Sequence, residues 1–493
     1  MADSTPPASL PVVIIGAGPV GLAAGAHLSE RGLDFVIVEA GDVPAAAVRA
    51  WSHIQLFSPW EYNVDPAARR LLETEGWESP EPSALPTGED LLKQYLQPLS
   101  EHPSIAPHIR CGAQVIAIAR LGLDRMRTVG RADAPFVVRL ADGEEILAGS
   151  VIDASGTWTQ PNVLGANGLP AHGEADASAL VDHALPDVLG TDREHYAGHH
   201  TVVVGAGHSA ANTLLALAKL ADAAPGTRIT WAIRGRDASS SYGGGGDDEL
   251  PARGALGSGL QMLVDTGRVA LAANFRTHTV RTPEGPHGGI QLVSTAADGS
   301  EQVLTADRVI AATGFRPDFG IAAELRLELD PIMEAPRALA PLIDPNQHSC
   351  GTVLPHGFKE LAHPEPGYYA VGMKSYGRAP TFLMVTGYEQ VRSIAAALAG
   401  DLEAAQSVEL QLPETGVCSA TAGAEALALR LGLTAEQHGE LLHATAKHLG
   451  SSPTAAQAVL TAATELGIDH GVALQLAAYT ADLFDAPQAP GCG

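Results

Sequence analysis

Two glycine-rich segments hold the residues best placed to do chemistry, because bare backbone N–H groups at the start of a helix can hold phosphates. In the first, Val12-Val13-Ile14-Ile15 runs into Gly16-Ala17-Gly18-Pro19-Val20-Gly21 and then Leu22-Ala23-Ala24-Gly25-Ala26-His27-Leu28. The short apolar run predicts a buried parallel strand, and the alanine-rich stretch after the glycines predicts a helix. Gly16 permits a tight turn, Gly18 lets a pyrophosphate approach the backbone, and Gly21 lets helix pack closely on strand. Pro19 suits the first helical turn. A second strand, Phe35-Val36-Ile37-Val38, ends at Glu39, whose carboxylate can accept hydrogen bonds from ribose hydroxyls. A glycine triplet alone is a weak signal, since such turns often serve only packing. Strand, turn, helix, strand and acid in this order predict a dinucleotide site.

The pattern recurs. Thr201-Val202-Val203-Val204 leads into Gly205-Ala206-Gly207-His208-Ser209-Ala210 and a helical Ala211-Asn212-Thr213-Leu214-Leu215-Ala216-Leu217. Here the next strand, Arg228–Ile233, ends in Arg234-Gly235-Arg236 and not in an acid. An acid would repel a 2′-phosphate, whereas guanidinium forks bind one, so this second site is expected to take NADPH in preference to NADH. The plainer alternative is a pair of arginines that only solvate a strand end.

Two further segments each read as a buried strand ending in a small-residue turn: Ser150-Val151-Ile152-Asp153-Ala154-Ser155-Gly156, and Arg308 to Pro317 with Thr313 and Gly314 at its turn. With these features in this order, the chain from about residue 10 to residue 400 resembles the flavoproteins that carry two dinucleotide-binding domains. The branch it most resembles contains flavin-containing monooxygenases and related pyridine-nucleotide oxidoreductases. The resemblance implies an α/β fold with two Rossmann-like domains. An FAD domain would comprise residues 1–160 and 311–402, an NADPH domain would be inserted at 161–310, and a helical appendage would follow at 413–493.

The resemblance also assigns cofactor contacts. FAD would lie on Gly16, Gly18, Pro19, Gly21 and Glu39, and NADPH on Gly205, Gly207, His208, Ser209, Ala210, Arg234 and Arg236. Thr313 and Gly314 would lie at a crossover beside the cofactors. Gly367-Tyr368-Tyr369-Ala370-Val371-Gly372-Met373 is similar to the family strand that ends beside the flavin, which places Gly372 and, further on, Thr381 at the cofactor. Relatives often carry an Asp after that glycine to hold the ribityl chain; Met373 stands there instead. The stretch Trp51 to Trp60 corresponds to a segment that passes beside the flavin ring. Trp51, His53 and Trp60 could then line a reaction cleft, with Gln55 or Ser58 on polar flavin edges; ordinary core packing of the tryptophans is the equal alternative.

The bulk composition bounds the rest. Among 493 residues, 56 Asp and Glu against 30 Lys and Arg leave a formal charge of −26, a surface that repels nucleic acid and anionic lipid. No apolar run reaches membrane-spanning length, and residues 1–10 lack the charged start and apolar stretch of a signal peptide, so a cytoplasmic protein is expected. The four cysteines, Cys111, Cys350, Cys418 and Cys492, include no C-x-x-C pair, which argues against a dithiol relay. Asp247-Asp248-Glu249 after a run of glycines reads as a solvated loop. Beyond residue 413, Thr434-Ala435-Glu436-Gln437 reads as a capping box, and helices are expected near Leu441, Val459 and Val472.

The expected reaction is NADPH-driven reduction of FAD, with molecular oxygen as the favoured acceptor and a small soft nucleophile or carbonyl as substrate. Against oxygenation, Tyr196-Ala197-Gly198-His199-His200-Thr201-Val202 departs from the family's F-x-G-x-x-x-H fingerprint, with Val202 where the histidine belongs. A plain reductase or oxidase, or a flavin-loaded redox sensor, is the alternative, and a homo-oligomer is left open. The stretches around Cys350 and Cys418 are similar to those of bacterial flavoproteins that accompany arsenic resistance. Thiolates suit such metalloids, although separate, buried thiols are the commoner outcome. His53, His208, His348 and His356 are the thin set of proton carriers, and no catalytic residue is assigned.

Overall fold

A computed structural model describes residues 10–243, 250–283, 289–296, 298–344, 356–379, 382–410, 433–448, 455–474 and 476–477. By contacts the chain divides into one unit of residues 1–340 and 354–412 and a second of residues 341–353 and 413–493.

The first unit contains two parallel sheets built on one plan. In the first sheet β1 (Val12–Ile15) lies at the centre, flanked by β2 (Phe35–Val38) and β3 (Ile109–Arg110) on one side. On the other side lie β7 (Ser150–Asp153) and β16 (Tyr368–Ala370). Ile15 pairs with Val38 on one side and Asp153 on the other, so the C-terminal ends of the three strands are level. Between β3 and β7 the chain makes an antiparallel meander of β4 (Val115–Arg120), β5 (Phe136–Leu140) and β6 (Glu145–Ala148).

The second sheet repeats this order. Its central strand is β9 (His200–Val204), with β10 (Arg228–Ala232) and β11 (Ala270–Ala272) on one side. β15 (Arg308–Ala311) and β8 (Val181–His183) lie on the other. A second meander, β12 (Thr277–Arg281), β13 (Ile290–Thr295) and β14 (Glu301–Ala306), again precedes the parallel strand that flanks the central one on its other side, here β15.

Period-two burial explains why both faces of each sheet are covered. Val202 and Val204 join a core with Ile290 and Leu292 of the meander, whereas Val203 packs with Leu214, Leu217 and Trp231 on the helical side. In the first sheet Val13 and Ile15 share a core with Phe136, Val138 and Tyr368. Helix α1 (Pro19–Glu30) is buried from Val20 to Leu28, against α4 (Met384–Leu398) among others. Helices α2 (His208–Ala223) and α3 (Pro251–Asp265) pack together on the second sheet. The first meander is anchored by buried ion pairs, in which Arg120 and Arg131 both donate to Glu365, at 2.7 Å each.

In the second unit, α5 (Ala435–His448) and α6 (Ala455–Glu465) pack around Leu441, Ala462 and Ala463. The expected capping box is formed: Gln437 N donates to Thr434 Oγ1 at 3.2 Å and Thr434 N to Gln437 Oε1 at 2.9 Å. Among the described residues no helix is long and apolar enough to cross a membrane.

Candidate functional site

The three glycines of the first motif have separate tasks. Gly16 has φ +96°, and a β-carbon there would lie 2.7 Å from the Ala154 carbonyl oxygen. A β-carbon on Gly21 would overlap the Gly16 carbonyl. Gly18 faces open space, with nothing within 4 Å of its missing side chain. It is also the N-cap of α1, where no side chain caps the helix and no acid stands in the first turn. Free N–H groups, a positive dipole end and room for a ligand therefore coincide, an arrangement that fits a pyrophosphate. Glu39 braces this turn: its carboxylate accepts from Ala17 N at 2.7 Å and Gly41 N at 2.8 Å.

The second motif repeats the geometry with one change. A β-carbon on Gly205 (φ +136°) would overlap the Ala312 carbonyl, and Gly207 faces open space as the uncapped N-terminus of α2. Ala210 takes the third position and is fully buried, so a methyl group is accommodated where the first motif requires glycine. Ser209 is half-buried in the first turn. Arg234 and Arg236 are exposed at the end of β10; Arg234 reaches the Ala166 carbonyl at 3.2 Å, and Arg236 makes no ion pair among the described residues.

Thr313 and Gly314 clasp the two crossover segments. Asn162 Nδ2 donates to the Thr313 carbonyl at 3.1 Å, Thr313 Oγ1 donates to the Asn162 carbonyl at 2.6 Å, and Asn162 N donates to the Gly314 carbonyl at 2.9 Å. Trp158 stacks on Phe315 with ring centroids 5.1 Å apart. This clasp joins the two crossovers to each other.

The Trp51–Trp60 segment divides its residues between core and cleft. Trp60 is 4% exposed, so of its two readings, cleft wall or core, it takes the core one. Ser58 is buried too, with its hydroxyl donating to Asn63 Oδ1, and is not free to meet a flavin edge. Trp51 is half-buried, and Gln55 is exposed, its backbone bridging to Thr87. Phe57 lies 5.0 Å from the ring of His208, so this segment of the first lobe touches the start of α2 in the second. His53 lines a cleft of about 430 Å³ together with Arg49, Ser52, Trp158, Asp182 and His183. Asp187 and Asp192 complete its acidic side.

Gly372 takes φ +65°, and a β-carbon there would press on Val20 of α1 at 3.3 Å. Gln390 holds this turn by accepting from Gly372 N at 2.7 Å, while its amide donates to Ser375 Oγ and His356 Nε2. Next to it is a group that sequence reasoning missed. Lys374 Nζ donates to Asp153 Oδ2 at 2.7 Å and to Ser155 Oγ at 3.0 Å, and Tyr368 OH donates to Asp153 Oδ2 at 2.8 Å. Burial pushes the Asp153 carboxyl up, but the Lys374 charge and the hydrogen bonds outweigh it, and its pKa lies below the ordinary value. The available signal was an Asp closing the apolar run Ser150–Asp153 and a Lys inside Gly372–Tyr376.

Thr381 and the cysteines Cys350, Cys418 and Cys492 lie outside the described residues, as do Asp247–Glu249 and His348. Cys111 is exposed beside Glu39, with its thiol pushed up by partial burial and by Glu39 and Asp42.

Residues 13–350 match the family model described as pyridine nucleotide-disulphide oxidoreductase. No curated protein matches. Among solved structures, the bacillithiol disulfide reductase of Bacillus cereus aligns over 80% of this chain and 99% of its own, with TM-score 0.58 and 18% identity. A mutant flavin monooxygenase from Stenotrophomonas maltophilia aligns over 80% and 98%, with TM-score 0.53 and 21% identity. The FAD-bound cadaverine monooxygenase of desferrioxamine biosynthesis from Erwinia amylovora aligns over 83% and 99%, with TM-score 0.55 and 13% identity. At these identities the likeness is one of fold. Both glycine cradles and both crossovers fall within the matched residues, and the chain belongs to the pyridine nucleotide-disulphide oxidoreductase family, flavoproteins that use FAD and a nicotinamide dinucleotide.

Proposed function

We propose that the chain is an NADPH-dependent FAD monooxygenase acting on a small soft nucleophile or carbonyl, held in the cleft beside Trp158. The observation that carries this reading is the pair of open cradles at Gly18 and Gly207, on two lobes linked by clasped crossovers, with a cleft lined by residues of 49–53 and 182–192. Bound FAD and NADPH would supply hydride transfer and the activation of molecular oxygen. The N–H groups at the start of α1 and α2 would hold the two pyrophosphates, and Glu39 would accept from the FAD ribose while bracing the turn. Arg234 and Arg236 would grip the 2′-phosphate of NADPH. Aspartates 182, 187 and 192 on the cleft disfavour an anionic substrate, and Trp158 offers an apolar face to a neutral or cationic one.

The absence of C-x-x-C favours oxygen over an internal dithiol relay. The named monooxygenases among the structural neighbours are consistent with that choice, whereas Val202 in place of the fingerprint histidine weighs against it. Two measurements test the reading. Anaerobic stopped-flow reduction should bleach bound flavin quickly with NADPH and far more slowly with NADH. Turnover under isotopically labelled oxygen with a thioether, a primary amine and a cyclic ketone should place one labelled oxygen in a product. NADPH oxidation without label in any product would turn the reading to a reductase or oxidase, and a protein that binds no flavin would overturn it.

A further inference from the structure

Asp153 and Lys374 form a buried ion pair, with side chains 0% and 1% exposed, at the C-terminal end of β7 beside the first cradle. A charge so far from water needs close partners, and the available ones are few. Asp153 Oδ2 takes Lys374 Nζ and Tyr368 OH; Asp153 Oδ1 takes Ser155 Oγ at 2.6 Å and Ser155 N at 3.2 Å. Lys374 also donates to Ser155 Oγ and lies 5.2 Å from the centre of the Phe319 ring. Of the four residues Asp153, Ser155, Tyr368 and Lys374, only Ser155 is exposed.

The location gives the cluster its use. Ala154, Ser155 and Gly156 form the turn against which Gly16 packs, and Gly156, like Gly18, has nothing within 4 Å of its missing side chain. Lys374 belongs to the Gly372–Tyr376 turn, where even a β-carbon on Gly372 would crowd Val20 at the start of α1. One ammonium therefore ties together the two segments that flank the helix start. The Ser155 hydroxyl gives its proton to Asp153 and a lone pair to Lys374, which fixes both its rotor and the turn it sits on.

We infer that Lys374 is a positioning residue for FAD: through Asp153 it locks Ser155 and the crossover turn into the shape that the first cradle presents to the cofactor. This rests on the assignment of that cradle to FAD. The test uses the full-length protein stripped of flavin, and the readouts are FAD affinity by fluorescence titration and the visible circular dichroism of bound flavin. The double variant Asp153→Asn/Lys374→Met removes both charges, so no lone buried ion is left to unfold the chain. It should melt cooperatively yet bind FAD about tenfold or more weakly, with an altered visible dichroism. Ser155→Ala leaves the ion pair in place and should weaken FAD binding about threefold with the same spectral change. Wild-type affinity and dichroism in a folded double variant, or in Ser155→Ala if the double variant does not fold, would reduce the cluster to a structural pair and overturn the inference. Failure of the wild-type protein itself to bind FAD would overturn the assignment of the cradle, and the inference with it.

Discussion

On the proposed reading, cofactor choice falls to Arg236, which is exposed beyond the end of β10 and paired with nothing among the described residues. Arg236→Glu should raise the KM for NADPH about tenfold or more, a loss of ~1.5–3 kcal/mol, while kcat and the KM for NADH change little. Steady-state kinetics with both nucleotides checks this; equal loss with each would show that the arginine does not read the phosphate. His363 makes a different prediction. Its Nδ1 accepts from Glu328 N at 3.2 Å, its Nε2 is buried without a hydrogen-bond partner among the described residues, and burial lowers its pKa from 6.5 to about 4. Between those values the unfolded chain takes a proton that the folded chain refuses. Stability should therefore fall as pH drops from about 6.5 to about 4, by up to ~3 kcal/mol. His363→Leu should flatten the slope of urea-unfolding free energy in that window. Asp153 acts in the same direction at lower pH: its depressed carboxyl contributes stability above the ordinary carboxylate value, and that is lost as pH falls through the folded value.

At the scale of elements, the same glycine pattern separates into positions that fold the turn and positions that leave room. A β-carbon on Gly21 overlaps backbone, whereas one on Gly18 meets nothing. Gly21→Ala should accordingly destabilise the protein by ~1–3 kcal/mol, and Gly18→Ala should leave the melting temperature unchanged while weakening FAD binding. Gly207→Ala should do the same for NADPH and spare FAD. Thermal melts and two separate titrations tell these outcomes apart. The Asp153–Lys374 pair is subject to the asymmetry of buried charges: Lys374→Met alone strands a carboxylate and should cost ~3–5 kcal/mol, more than the neutral double variant costs.

For the whole molecule, both cradles, both crossovers and the Gly372 turn lie in the unit of residues 1–340 and 354–412. The C-terminal helices have a core of their own around Leu441, Ala462 and Leu476. Truncation after Leu412 should keep the flavin spectrum and the NADPH preference, as reduction of the shortened protein would show; loss of bound flavin would instead tie the C-terminal unit to the cofactor site. The two lobes also share a plan that was only half legible. Glycine motifs marked β1 and β9, but the meanders that precede β7 and β15 are short antiparallel strands of mixed burial, without a periodicity strong enough to announce them.

Local sequence determined the two nucleotide motifs, because each of their parts is a short-range requirement. A turn needs positive φ at Gly16, and a helix start needs open N–H groups after Gly18 and Gly207. Position 210 shows the margin in that reading: alanine substitutes for glycine wherever the neighbouring backbone leaves space for one methyl group. Tertiary structure alone decided which side chains meet across distance. Trp60 and Trp51 are the same residue type nine positions apart, yet one is core and the other half-exposed. Phe57 meets His208 across the lobes, and Lys374 meets Asp153, 221 residues apart in the chain, because parallel pairing of β16 with β7 brings their ends together. Such encounters follow from sheet order and register, which no stretch of neighbouring residues encodes.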